Sequence, residues 1–281
     1  MRRVLFIILL LSSFGTTAQV FNFKVDWFDN NSFFEAVFLQ SKKVESISIS
    51  VSEKKDGAYF QGARPILRYD FNANGQLKRS YKLIPLKNKI DTALFQFFYT
   101  DKNQLYKRTE QQGLFNFGYY FFYKNGFLER EVKINQTSKD TAYLRYFEST
   151  IQGLERSVIL LNSIHKPFAT ISEKKSKSGL LLRKKLAYNR NPNYSEVSYS
   201  YKGKQLIQKK EQKLQGKELI NTYFLHKGDK LDLVKIEKNN ILIKKYAFTY
   251  TESGLPKEII ERDMIKKNVK IYKIDYTYLK P

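Results

Sequence analysis

Residues 120–128 read YFFYKNGFL, and the order of side chains in this stretch decides the fold class. Aromatic residues stand six and four positions before Gly126, and Leu128 follows two positions after it. A spacing of two residues places side chains on one face of a β-strand, and Asn-Gly accepts the positive φ angles of a tight turn. The stretch therefore predicts a β-hairpin with an aromatic arm before its turn.

The same order of residues recurs along the chain. Residues 69–77 read YDFNANGQL and residues 97–105 read FFYTDKNQL, and weaker copies follow with a leucine one to three positions after the turn. This interval fits two strands and two turns, and it is too short for a strand-helix-strand crossover with its turns. The turn markers lie 23 to 28 residues apart and are Gly75, Asn103, Gly126, Gly153, Gly179, Gly203, Gly228 and Gly254.

These repeats predict an all-β protein. We expect a long antiparallel meander of tandem hairpins with about sixteen or more strands, either an open curled sheet or a wide, partly closed barrel. Isolated hairpins are marginally stable, so the aromatic side chains should join neighbouring hairpins into a core. The copy at Gly179 lacks the aromatic pair, which predicts an interruption of the sheet at that point.

The chain divides into three parts. Residues 1–18 are typical of a signal peptide, with Arg2 and Arg3 before an apolar run and small residues at the exit. Residues 19–66 form an N-terminal segment with a predicted strand at 21–27 and a short helix within 32–40, and residues 67–281 form the repeat domain. The apolar run is shorter than the roughly 20 residues of a membrane-spanning helix, and no later stretch comes close.

The composition limits the chemistry and the partners. The formal charge is +23 and the chain has no cysteine, which excludes disulfides, thiolate metal sites and thiol nucleophiles. A large positive charge attracts polyanions without naming one. The partner is therefore open: an anionic glycan, lipopolysaccharide or an envelope protein are candidates, and nucleic acid is not favoured.

The repeated phrase resembles the tyrosine-aspartate (YD, Rhs-type) repeats and the MORN-like variants of exported bacterial proteins. The resemblance covers about residues 67–278, and its best copy is Tyr69-Asp70 followed by Gly75-Gln76-Leu77. Later copies lack the aspartate, so an independent hairpin repeat fits equally well. The resemblance implies long antiparallel sheets that wrap, line or scaffold something, and it carries over no catalytic residue.

No catalytic, cofactor-binding or metal-binding constellation emerges. The only histidines are His165 and His226, both beside turns, and the sequence has no glycine-rich phosphate loop and no serine elbow. Acid pairs that could in principle act in glycoside hydrolysis are expected instead to be charge partners of lysines. These pairs are Asp232 with Glu237 and Glu258 with Glu261.

Two further patterns have alternative interpretations. Asp91-Thr92-Ala93 and Asp140-Thr141-Ala142 look like O-glycosylation acceptors at Thr92 and Thr141, or else Asp-Thr closes a turn through local hydrogen bonds. Lysine pairs follow the turns, as in Lys184-Lys185, Lys209-Lys210 and Lys244-Lys245. These lysines could flank an aromatic groove that binds an anionic chain. The favoured interpretation is a solvent-exposed lysine face on the side of the sheet opposite an aromatic core face.

We therefore expect an exported, non-enzymatic β-repeat scaffold or binding protein of the cell envelope, without a cofactor. Its location would be periplasmic, outer-membrane-associated or extracellular. One alternative is an outer-membrane β-barrel, although arms such as residues 208–215 carry many charges for a lipid-facing strand. A second alternative is a carboxylate-dependent glycan-active enzyme.

Overall fold

The computed structural model describes residues 35–55, 57–85, 90–213 and 217–279. The predicted signal peptide and the strand predicted at 21–27 lie outside these residues. The predicted short helix is present as α1 (Ala36–Ser41), one residue beyond the C-terminal limit that we expected.

The described chain after α1 is built from eighteen strands. In chain order they are β1 (Val44–Lys55), β2 (Arg64–Phe71), β3 (Leu77–Pro85), β4 (Ile90–Tyr99), β5 (Leu105–Gln112), β6 (Phe115–Lys124), β7 (Phe127–Asn135), β8 (Thr141–Gln152), β9 (Glu155–Leu161), β10 (Pro167–Lys175), β11 (Leu181–Tyr188), β12 (Asn191–Lys202), β13 (Gln205–Lys213), β14 (Glu218–Lys227), β15 (Lys230–Lys238), β16 (Ile241–Tyr250), β17 (Pro256–Asp263) and β18 (Asn268–Tyr278).

The strands form one closed antiparallel barrel. Each strand pairs with its neighbours in sequence, and β1 pairs with both β2 and β18. Closure removes the unpaired edges that an open sheet would expose. The all-β meander is thus confirmed in its wide-barrel form, and β10 pairs with β11 across Gly179, so the predicted interruption is wrong. The limit drawn between residues 66 and 67 falls inside β2.

Alternate side chains of each strand point into the barrel. On β1, Ile47, Ile49 and Val51 are 0 to 6% exposed, whereas Ser48 and Ser50 between them are half-buried. The barrel wall is a single layer that curves round on itself. Side chains on its inner face can therefore be covered by side chains of the other strands. Ile47 lies opposite Tyr69 on β2 and Tyr276 on β18, so these tyrosines also belong to the inner face.

The barrel has two different rims. The eight turn markers lie at the rim that also carries α1, which we name the helix rim; the other end is the far rim. Turns at the helix rim have two lengths: residues 72–76 form a five-residue turn, and Asn125-Gly126 form a two-residue turn. This difference shifts the aromatic pattern by one residue. Tyr69 faces inward before the longer turn, whereas Phe121 and not Tyr120 faces inward before the shorter one.

The core is unevenly distributed around the barrel. A continuous buried cluster fills the inner face of β12–β18 and β1–β4, which we name the packed arc. Leu39 of α1 belongs to this cluster and is fully buried, so α1 packs at the helix rim of this arc. Strands β5–β8 form the charged arc, in which Tyr119 is the one buried hydrophobic residue among those described.

Candidate functional site

The turn markers are structural positions at the helix rim. All eight have positive φ angles, from 59° at Gly153 to 84° at Gly254, and Asn103 adopts 62°. At Gly75 a Cβ atom would collide with the backbone of Ala36 in α1, whereas at Gly126 it would meet nothing within 4 Å. Gly75 is therefore also a point of close contact between the barrel and α1.

A recurring tyrosine contact joins five pairs of neighbouring hairpins at the helix rim. The hydroxyl group donates to the backbone carbonyl of the first or second residue of the preceding strand, which satisfies a buried phenol without a charged partner. The sequence showed the tyrosines, but the acceptor carbonyls depend on strand register. The five copies are Tyr99 to Leu77, Tyr123 to Leu105, Tyr201 to Leu181, Tyr250 to Leu231 and Tyr276 to Pro256, at 2.5 to 3.0 Å.

A network of buried charges lies inside the packed arc towards the far rim. Lys244 Nζ lies 2.8 Å from Glu261 and 3.8 Å from Asp263, and Tyr272 donates to Glu261 at 2.7 Å. Burial lowers the pKa of Lys244, but the hydrogen bond to Glu261 and the nearby negative charges outweigh it, so the net shift is upward. Backbone N–H groups of Lys266 and Ile265 lower the pKa of Asp263. Each carboxylate of the network has a cationic or hydrogen-bonding partner, so the network has the character of a structural support.

The inner face of the charged arc pairs aromatic rings with cations. Tyr119 donates to Glu110 at 2.7 Å, and the Arg108 guanidinium lies 4.0 Å from the centre of the Tyr119 ring. Lys133 Nζ lies 3.9 Å from the centre of the Phe117 ring. On β8, Tyr143 repeats the pattern with a 2.7 Å hydrogen bond to Glu131. Cations on aromatic faces replace the apolar packing of the other arc.

The best-defined polar cavity, about 520 Å³, lies near the helix rim across β8–β11. Thr150, Ser157 and Ser172 line its floor. Its lining charges are largely paired, because Lys174 lies 3.0 Å from Glu155, and Arg183 lies 2.7 Å from Glu196 on β12. A cavity whose charges are already satisfied has little to offer an ionic ligand.

The outer face carries basic residues on strands of both arcs. The residues next to each of them in the sequence face inward. The lysine pairs divide between the two faces, so the expectation of a wholly wet lysine face is wrong: Lys244 is inside and Lys245 is outside. The outward basic residues are Arg68, Lys107, Arg130, Lys185, Lys210, Lys235, Lys245, Arg262 and Lys273.

The structure separates the residues considered for catalysis. His165 lies in the turn after β9, where it stacks on Tyr146 at 4.0 Å between ring centres. His226 lies on β14 near the other rim, and burial lowers its pKa. Glu261 points inward and Glu258 outward opposite Lys273, so these two acids cannot flank one glycosidic bond.

Thr92 and Thr141 are exposed near the far-rim ends of β4 and β8. The backbone N–H of Thr92 donates to the Asp91 carboxylate at 2.8 Å, which is a local bond of the kind that the turn interpretation expects. Glycosylation at both threonines stays a prediction.

Two searches of the described residues were negative. No group of three or more histidine, aspartate or glutamate side chains is placed to hold a metal ion. Within the same residues, no helix has the length and apolar character needed to cross a membrane.

Comparisons with known proteins give structural likenesses alone. No family model matches the sequence, and no curated protein matches it. A porin-like protein from Bacteroides uniformis is similar over 84% of this chain and 97% of its own, with 10% identity and a TM-score of 0.43. A porin-like protein from Bacteroides vulgatus (84% and 99%, 8% identity, TM-score 0.31) and a LolA superfamily protein from Nitrosomonas europaea (85% and 87%, 8% identity, TM-score 0.23) are also similar. Such identities and TM-scores carry no conclusion about function.

Proposed function

We propose that this protein is an exported, non-enzymatic β-barrel of the cell envelope that works in water as a scaffold or binding protein. The charge on the outer face is the observation that carries the proposal. A membrane-spanning barrel needs an outward apolar band about 25 Å tall, and an arginine or lysine at mid-membrane costs about 2–4 kcal/mol. Here outward basic residues occur at mid-strand in both arcs, as at Arg130 and Lys245.

The inner face supports the same proposal. The packed arc is apolar inside at Ile259 and Phe248, and its inward Lys244 is paired with Glu261. A porin-type barrel has the reverse arrangement, with a polar lumen and an apolar exterior. In the packed arc, an apolar interior beneath an outer face that carries Lys235, Lys245 and Arg262 is a distribution that water favours.

Chemical labelling of Lys244 and Lys245 tests the proposal directly. These neighbours differ in direction: Lys244 is inside and bonded to Glu261, and Lys245 is outside. We expect a membrane-impermeant acylating reagent to modify Lys245 on the native mature chain and to spare Lys244 until the protein unfolds, as measured by mass spectrometry of peptides. The chain should also stay monodisperse without detergent. Protection of Lys245 by liposomes, or a requirement for detergent, would exclude the proposal.

The second candidate is an outer-membrane β-barrel. Closure with an even number of antiparallel strands is the architecture that this class requires. Its best support on the surface is the outer face of β3–β9, where Leu83, Leu94, Val132, Leu144 and Ile159 point outward. Single-channel conductance in planar bilayers, together with protection of Lys107 and Arg130 from modification, would favour this candidate instead.

A further inference from the structure

Three basic residues lie directly opposite one another on the outer face of the packed arc. Lys235 on β15 pairs with Lys245 on β16, and Lys245 pairs with Arg262 on β17. Directly opposed residues in antiparallel strands have Cβ atoms about 4.5–5.5 Å apart, and like charges in such pairs are destabilising. We name these three residues the basic row.

The basic row has no acidic partner. No ion pair within 4 Å joins Lys235, Lys245 or Arg262 to any acid in the described part of the chain, although both lysines are half-buried. Elsewhere the barrel does supply partners: Lys273 on the same outer face lies opposite Glu258, and the inward Lys244 binds Glu261. In this row, three cations without an ion pair lie directly opposite one another on adjacent strands.

We propose that the basic row binds an anionic saccharide chain that lies across the strands. Neighbouring strands are about 4.8 Å apart, so the row presents positive charges at regular steps along one line. Tyr223 lies opposite Lys235 at one end and offers an aromatic ring to a sugar. Beyond Arg262, Val269 leads to Lys54 on β1, which extends the line by a further cation.

The shape of the surface favours a linear polymer over a membrane. The row follows the circumference of a convex single-layer barrel, so a flat bilayer would contact it over a short length. The next outer-face residues along the same strands are Leu233, Ala247 and Ile260, so the vesicle arm of the test below decides whether lipid is bound instead. This inference rests on the proposed function, because the row must face water to meet a polymer.

The test measures binding of fluorescent oligogalacturonate to the mature chain by anisotropy over a range of salt concentrations. We expect binding that weakens with salt, since exposed charges are screened over about 10 Å at 0.1 M. Each single change, Lys235→Gln, Lys245→Gln or Arg262→Gln, should weaken binding about two- to fivefold, and the triple variant more than about tenfold. The midpoint of urea unfolding of the triple variant at low salt should be unchanged or higher, because repulsion is relieved.

A matched variant controls for total charge. Lys102→Gln, Lys210→Gln and Lys273→Gln together remove the same three charges away from the row and should change binding by less than about twofold. Equal losses in the two triple variants would overturn the proposal, as would equal binding of neutral maltohexaose. Row-dependent binding that is as tight to phosphatidylglycerol vesicles or single-stranded DNA would overturn the saccharide assignment. A soluble chain that binds none of these probes would refute this inference and leave the proposed function standing.

Discussion

Leu255 and Leu154 both directly follow the turn glycine of a hairpin at the helix rim, Leu255 as the last residue of a five-residue turn and Leu154 in a two-residue turn, but their surroundings differ completely. Leu255 in the packed arc is 0% exposed, and Leu154, at the border of the charged arc, is 46% exposed. The leucines after the turns at Gly75, Gly203 and Gly228 are likewise buried. The same repeated sequence pattern therefore occurs in two parts of the barrel whose inner faces differ.

The difference shows that the barrel is stabilised unevenly. In the packed arc, inward side chains of many strands and α1 cover one another, so burial removes apolar surface from water. In the charged arc, rings such as Phe117 and Tyr119 are covered by Lys133 and Arg108. Since cation–π contacts contribute less than full apolar burial of a large side chain, we expect the charged arc to open at lower denaturant concentration.

Shortening the two equivalent leucines gives the largest contrast. Leu255→Ala should lower the free energy of unfolding by about 2–5 kcal/mol because it leaves a cavity in the buried cluster. Leu154→Ala should change it by no more than about 0.5 kcal/mol because the side chain already meets water. Urea unfolding followed by circular dichroism measures both. Similar losses in the two variants would contradict the division into arcs.

Adding a methyl group at two turn glycines gives the next contrast. Gly75 and Gly126 both have positive φ angles, 72° and 80°, so alanine costs about 1–2 kcal/mol at either position. Gly75→Ala must in addition displace α1, because its Cβ would collide with the Ala36 carbonyl. Gly75→Ala should therefore be the more destabilising of the two by thermal unfolding. Equal shifts would mean that α1 does not pack on this turn.

Removing the tyrosine hydroxyl groups at the helix rim should have a smaller effect. Tyr250→Phe breaks the hydrogen bond to the Leu231 carbonyl in the packed arc and should cost about 1 kcal/mol. Tyr123→Phe breaks the corresponding bond to Leu105 in the charged arc and should cost less, about 0.5 kcal/mol, because water can replace the lost donor more easily there. Chemical denaturation measures both losses in the free energy of unfolding, and the comparison requires that the two variants have the same m-value. A larger loss for Tyr123→Phe would reverse the assigned order of burial.

Alkaline pH should destabilise both arcs because it ionises buried tyrosines, whereas these tyrosines should not make stability depend on pH near neutrality. Burial raises the pKa of Tyr201 and of Tyr250 to about 12, and burial also raises that of Tyr123 in the charged arc. An unfolded tyrosine ionises near a pKa of about 10. The contribution of these phenols to stability is therefore fully present below about pH 10 and is lost as pH rises towards 12. Phenolate absorbance that rises at these positions well below the unfolding pH would contradict the burial.

Local features of the fold were predictable from the sequence because they depend on local preferences. Gly126 and Gly203 mark turns because a positive φ angle is easy for glycine, and the repeat interval indicates antiparallel hairpins. The inward face was harder to assign. A two-residue turn at Asn125-Gly126 and a five-residue turn at residues 72–76 shift the alternation by one, which moves Tyr120 outward while Tyr69 stays inward.

The candidate surfaces could be predicted in part. The sequence indicated positive charge and paired lysines, but not which of Lys244 and Lys245 faces inward or that Lys245 lies between Lys235 and Arg262. These relations depend on the register between separate strands and on bulges such as the one between Ile236 and Glu237. No pattern within a single strand carries that information.

The sequence by itself determined an all-β meander with its turns at regular intervals, because turn chemistry and period-two alternation act within a few residues. Only the tertiary structure decided that the meander closes, that α1 packs at one rim, and that one arc is apolar inside while another pairs rings with cations. Closure joins β1 to β18, where Ser46 and Thr277, separated by 231 residues, share a 2.7 Å hydrogen bond. Such pairing depends on the summed register and curvature of every strand between them.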